Sequence, residues 1–204
     1  MAKEAPEDPY IGLADPDQLA TGWDVEALEL YDPAPEPSPE ALQDDAARAE
    51  AAGLAVKGVS QVQSAGAGYG AQQVFMAASN GFEGGYRRTD RGLSCVAIAG
   101  SGTGMERDYD GDSRIFQTDL RSPEDIGTKA GERVLERMGA RKPPTGAYPV
   151  LFDERISSAL IGHLLSAISG TAIARGASWL RDAMGEQVLP KGISLIEDPF
   201  FFFF

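Results

Sequence analysis

The chain has 204 residues, 43% of them hydrophobic, which suits one domain or two small ones with a buried core. A formal net charge of -13 argues against non-specific nucleic-acid binding, because phosphate backbones recruit Lys and Arg. A single cysteine, Cys95, excludes an intrachain disulfide scaffold.

The first forty residues are rich in acid and in proline, with Pro6, Pro9, Pro16, Pro33, Pro35, Pro37 and Pro39 forbidding long regular elements. No apolar leader follows Met1-Ala2-Lys3-Glu4, so a cytoplasmic location is expected. Residues 1–37 read as an N-terminal segment and linker. Ser38-Pro39-Glu40 then has the chemistry of a helix start: a capping hydroxyl, a proline suited to the first turn and an acid at the positive end of the dipole. The helix is expected over 41–52, ending at Gly53.

From residue 54 the pattern changes to short period-two runs punctuated by glycine. Residues 56–63, 72–77, 82–88, 93–99 and 105–109 are five candidate strands. Asn80-Gly81 between two of them is a hairpin signal, since both residues tolerate positive φ. Gly66-Ala67-Gly68-Tyr69-Gly70 and Gly100-Ser101-Gly102-Thr103-Gly104 lack the GKS/T ending of a phosphate loop and are expected as turns. Cys95 lies in the apolar run Leu93–Ile98 and is expected as a buried strand residue rather than a nucleophile. Asp108-Tyr109-Asp110-Gly111-Asp112-Ser113 has the opening of a calcium loop without its closing glutamate, and is expected as a solvated acidic turn.

Ser122-Pro123-Glu124-Asp125 starts a second helix, with Ile126, Ala130, Val134, Leu135 and Met138 on one stripe and Gly139 at its end. Arg141–Gly146 is the candidate domain boundary. The expected organisation is a central domain over 38–141 and the start of another over 147–204. The latter should hold a strand at 148–152, a buried helix from 154 to 169, an amphipathic piece at 177–184 and a strand at 193–196. No residue between Arg155 and Arg175 is charged, but Ser, His, Gly and Thr interrupt the run and Gly170-Thr171 breaks it, so no membrane span is expected. The terminal run Phe200–Phe204 has no structural logic within a soluble fold and is an aggregation hazard. The fold class is α+β: an antiparallel, meander-like sheet with flanking helices, followed by the start of a second α/β-containing domain.

The chain has one histidine, His163, inside the apolar helix. Its helical neighbours Ala159, Leu160, Ser166 and Ala167 include no acid to orient it. A core histidine bonded to a carbonyl is the plainer expectation, and His163 stands only as a weak catalytic candidate. No metal ligand set and no cofactor is expected.

Several segments, in order, resemble the TldD/PmbA family and its PmbA (TldE) branch. They are Ala46–Ala52; Ser79-Asn80-Gly81-Phe82 with Gly85-Tyr86; Met105–Tyr109; Pro149–Phe152; Leu160–Leu164 running on to Ala167–Gly170; Arg175–Leu180; and Leu189-Pro190. The resemblance implies a bacterial or archaeal cytoplasmic protein, about half of a family member in length. It also implies one subunit of a heterodimeric TldD–TldE metalloprotease, a DNA gyrase modulator family linked to peptide maturation. Its partner would be a TldD-type subunit, and peptide substrate would reach it through the complex, with no nucleic acid and no membrane involved. In that partner, a helix carrying HExxxH binds the metal. Here Gly162-His163-Leu164-Leu165-Ser166-Ala167 stands in its place, so no catalytic residue carries over. A stand-alone peptide-binding module with an open sheet edge, or a residual hydrolase using His163, are the alternatives.

Overall fold

The computed structural model describes residues 12–22 and 24–196; the Phe200–Phe204 run and the prolines at 6 and 9 lie outside them. The described chain divides into two compact units between Pro143 and Pro144. The division falls inside the Arg141–Gly146 stretch.

In the unit from Asp15 to Pro143, helix α1 spans Pro39–Ala55. The Ser38 hydroxyl caps it by accepting the Ala41 N–H at 3.2 Å. The helix runs through Gly53 rather than stopping there. Gly53 is buried, and a Cβ on it would lie 3.1 Å from Val62 Cγ2 and 3.4 Å from Cys95 Sγ, so this glycine serves close packing instead of a cap. Helix α2, Pro123–Glu136, starts on the Ser122 hydroxyl, which accepts the Asp125 N–H at 3.1 Å. It buries Ile126, Ala130 and Val134 as the stripe requires, while Met138 is exposed beyond the helix end. The two helices meet at backbone distance: a Cβ on Gly127 would sit 2.0 Å from the Ala49 carbonyl oxygen.

The sheet has three antiparallel strands in the order β1-β2-β3, with β1 at Val59–Ala77, β2 at Glu83–Ala99 and β3 at Glu106–Arg114. The five expected runs thus merge into three long strands. The Gly66–Gly70 segment is strand, not turn, because its glycines alternate with Ala67 and Tyr69. The glycines occupy one face, Ala65 and Ala67 pack toward the core on the other, and none of the glycines needs positive φ. Gly81 does, at φ 94, and closes the expected hairpin: its N–H donates to the Ala78 carbonyl at 3.1 Å. Gly100 and Gly102 turn the chain from β2 to β3, as expected. The core joins Leu93, Cys95, Ala97 and Ala99 of β2 to Ala49 of α1 and to Ile126, Ala130 and Val134 of α2.

Beyond Thr89, β1 and β2 continue without β3 as a two-stranded ribbon to the Ala78–Phe82 turn. At that point the proline-rich segment crosses β2. The Thr89 N–H donates to the Leu30 carbonyl at 3.0 Å, and the Asp32 N–H donates to the Thr89 hydroxyl at 2.9 Å. Part of the expected linker is therefore bonded into the sheet region.

In the unit from Pro144 onward, α3 spans Glu154–Ile168, capped by the Asp153 carboxylate accepting the Arg155 N–H at 3.0 Å. Ser169 separates it from a single turn, α4, at Gly170–Ala174. Two expectations fail here. Residues 148–152 and 193–196 form no strand and pair with none among the described residues, and most of 177–184 is turn. Helix α3 is not buried either: only Ala167 is, while Ile156, Leu160, Ile161, Leu165 and Ile168 are exposed. No helix among the described residues is long and apolar enough to cross a membrane.

Candidate functional site

The densest charge constellation lies where β3 meets α2. Period two places Asp108, Asp110 and Asp112 on the sheet face that α2 covers, and all three are largely buried. Asp110 pairs with Arg133 of α2 and, at 2.8 Å, with Arg121 from the loop before it. Asp112 accepts the Arg121 backbone N–H at 3.0 Å and approaches the Arg114 guanidinium at 3.2 Å. Arg137 reaches Glu106 at 3.6 Å and Asp108 at 3.7 Å. Burial pushes the Asp112 pKa up, but the Arg121 N–H and the Arg114 and Arg121 charges outweigh it and hold the carboxyl below its ordinary value. The expected solvated acidic turn is thus a buried ion-pair ladder. Strand alternation aims its carboxylates at arginines, which occupy the positions a cation would need.

On the opposite side of the sheet's covered face, Arg91 is 4% exposed, pairs with Asp45 of α1 and donates to the Gly68 carbonyl at 3.0 Å. Arg48 grips Glu124 with two bonds of 2.7 and 2.8 Å, tying α1 to the first turn of α2. A recess of about 450 Å³ opens among Asp45, Arg48, Arg91 and Ser122, where Asp45 pairs with both arginines. Asp32 is a further buried acid. Its Oδ2 accepts the Gln117 N–H at 2.8 Å and its Oδ1 the Ala34 N–H at 2.8 Å, and these two bonds lower its pKa. All three arrangements clamp elements together rather than present a reactive group.

The sequence candidates are placed as follows. His163 sits on the exposed surface of α3, not in a core, and the nearby Ser166 hydroxyl is spent on the Gly162 carbonyl at 2.9 Å. Cys95 is fully buried on β2, its Sγ 3.8 Å from the Ala49 carbonyl, and burial pushes its thiol pKa up, away from nucleophilic thiolate. His163 and Cys95 belong to different units. Sequence reasoning missed Asp32 and the arginine ladder. The alternation Asp108-x-Asp110-x-Asp112 facing Arg133 and Arg137, four apart on a helix, was the signal that could have found the ladder.

Among the described residues, no group of three or more His, Cys, Asp and Glu side chains comes together to hold a metal ion. On α3, Leu164 follows His163, the one histidine of the sequence.

Residues 32–138 match the PmbA/TldA metallopeptidase central domain and residues 145–203 match the PmbA/TldA metallopeptidase C-terminal domain. The chain belongs to the PmbA/TldA metallopeptidase family. The metalloprotease PmbA of Escherichia coli O157:H7 is 37% identical over 202 residues, covering 98% of this chain and 44% of that relative. The chain therefore spans less than half the length of the curated PmbA protein it matches. A Bacteroides thetaiotaomicron structure, named for modulation of DNA gyrase, superposes with a TM-score of 0.75 at 29% identity, covering 90% of this chain and 42% of that one. TldE from Thermococcus kodakarensis shares the fold, with a TM-score of 0.60 at 16% identity over 89% of this chain and 40% of that one. In PmbA/TldA terms, the three-stranded sheet with α1 and α2 is the central domain, and α3 opens the C-terminal one.

Proposed function

We propose that this chain is the central domain and the opening of the C-terminal domain of a non-catalytic PmbA/TldE-type subunit, working in the cytoplasm beside a TldD-type metalloprotease subunit in peptide proteolysis and maturation. One observation carries the reading: the family's metallopeptidase chemistry needs a helix with two histidines and a glutamate, and α3 carries His163 alone, exposed and followed by Leu164. The donor set does not fit a zinc ion, so no catalytic step is assigned to this chain. Membership in a metallopeptidase family without a metal-binding helix fits an accessory role. The arginine ladder, the Arg48–Glu124 clamp and the Asp32 bonds would then hold a scaffold in shape for a partner.

Co-purification with an HExxxH-bearing family subunit tests the proposal. A stable complex is expected, with zinc bound only by that subunit. Zinc held by this chain alone at a ratio near one per chain would overturn it.

A further inference from the structure

β3 leaves β2 early. Its last residue, Arg114, pairs with Arg91, while β1 stays on β2 as far as Glu83. Beyond the Arg91 pair, the Thr89 N–H is taken up by the Leu30 carbonyl instead of by a strand. The Thr89 hydroxyl accepts the Asp32 N–H and donates to the Ile115 carbonyl at 3.1 Å, just past the end of β3. Residues 30–36 thus form a strap at the place β3 has vacated. The Asp32 carboxylate fastens it again on the Gln117 N–H, and Gln117 Nε2 donates back to the Pro35 carbonyl at 3.2 Å. The Arg87 guanidinium lies 4.1 Å from the centre of the Tyr31 ring.

The strap is attached at points, not along a ladder. Pro33 and Pro35 have no N–H to give, so the segment cannot extend its pairing with β2. Asp32 is its one buried residue, 33–36 are exposed, and none of 30–36 belongs to the hydrophobic core. An element held by polar bonds without buried apolar surface opens at lower free energy than the core beside it. The chain also enters the strap through Glu29, at φ 48 the one non-glycine among the described residues with positive φ. A side chain there carries a conformational cost that persists only while the surroundings impose it.

We propose that residues 30–36 are a latch that opens as one unit, with Asp32, Thr89 and Gln117 letting go together while α1, α2 and the sheet stay folded. Opening frees the edge of β2 at Thr89 and the chain that leaves β3 at Ile115. The three residues act together because each holds the next. Thr89 fixes the Asp32 backbone, which sets the carboxylate on the Gln117 N–H, and the Gln117 side chain returns to the strap at Pro35. Removing one member therefore loosens bonds in which it takes no part. The latch is independent of the accessory role proposed for the subunit.

Native-state amide exchange on the full chain, over a series of low urea concentrations, tests this. In the parent, the amides of Asp32, Thr89 and Gln117 should share one opening equilibrium that barely responds to urea, because little surface is exposed. The amides of Cys95 and Ala130 should exchange more slowly and respond steeply. Asp32→Ala should speed exchange at Thr89 at least ~10-fold although the Thr89 acceptor, the Leu30 carbonyl, is untouched. Thr89→Val should do the same at Gln117, whose acceptor carboxylate remains. Cys95 and Ala130 should not change in either variant. Strap amides that exchange in the parent only with Cys95 and Ala130, at the same urea dependence, overturn the proposal by making the strap part of the core. A Thr89 amide unmoved by Asp32→Ala overturns it too, since each bond then stands alone, as does a variant in which the core amides accelerate equally.

Discussion

The unit from Asp15 to Pro143 closes on itself; the described part of the unit from Pro144 onward does not. In the first, two capped helices and a sheet enclose Cys95, Ile126, Ala130 and Val134 completely. In the second, Ala167 is the one buried hydrophobic residue, while Leu151, Trp179 and Met184 are 98%, 76% and 91% exposed. Both have similar local signals, with helices started by Ser38, Ser122 and Asp153. Caps and periodicity therefore fix where a helix begins, and only facing elements decide whether its apolar stripe is a core. The described part of the second unit has the stripe without facing elements.

Substitutions should separate the two units in order of effect. Gly127→Leu should be the most damaging, because its Cβ would lie 2.0 Å from the Ala49 carbonyl oxygen and the side chain has no room to turn away. A loss of ~3 kcal/mol or more is expected, read as a collapse of the main transition in urea denaturation. Breaking the ladder comes next. Arg133→Met strips a partner from Asp110, whose side chain is 4% exposed, and should cost ~3 kcal/mol in the same assay. An equal midpoint for parent and variant would show that Arg121 alone suffices.

Acid should act on the first unit through Asp32 and Asp112. Both carboxyls are held below the ordinary aspartate value of 3.8, so their contribution is complete above that value and is lost as pH falls through the lower folded-state pKa. Melting temperature should therefore decline as pH drops below 3.8, and Asp32→Asn should flatten that decline by removing one of the two groups. Last and smallest, His163→Ala and Leu165→Ser change exposed positions on α3. Each should shift stability by no more than ~0.5 kcal/mol, and Leu165→Ser should also reduce binding of a hydrophobic dye. A large loss from either would mean that α3 is packed in solution.

What the sequence made legible follows the same division. Helix starts, the Asn80-Gly81 hairpin, the buried Cys95 and the meander were readable because each is set by local chemistry or a short period. The Gly66–Gly70 run was misread because glycine marks both turns and bare strand faces, and only the partner strand distinguishes them. Gly53 was misread for a related reason: α2 and β1, not the local sequence, require it to be small. The Asp108–Ser113 segment looked solvated because its arginines lie on another element. The missing strands at 148–152 and 193–196 show the converse, since a strand pattern without a neighbouring edge yields no ladder. Of the candidate site, the clamps at Asp32, Asp110 and Arg48 were not legible, because each joins residues far apart in the chain.

The backbone contact between Ala49 and Gly127 also bears on how the chain reaches this state. The hairpin can zip outward from Asn80-Gly81, adding pairs between neighbours until Val59 meets Ala99. The helices have no such local route, because the residues that touch lie on either side of the whole sheet sequence. Contacts so far apart in sequence are expected to form late, which would make the fit of one carbonyl against one glycine a checkpoint at the end of folding. Gly127→Ala would test this: it should slow refolding if that contact already exists in the transition state, and hasten unfolding if the contact forms after it.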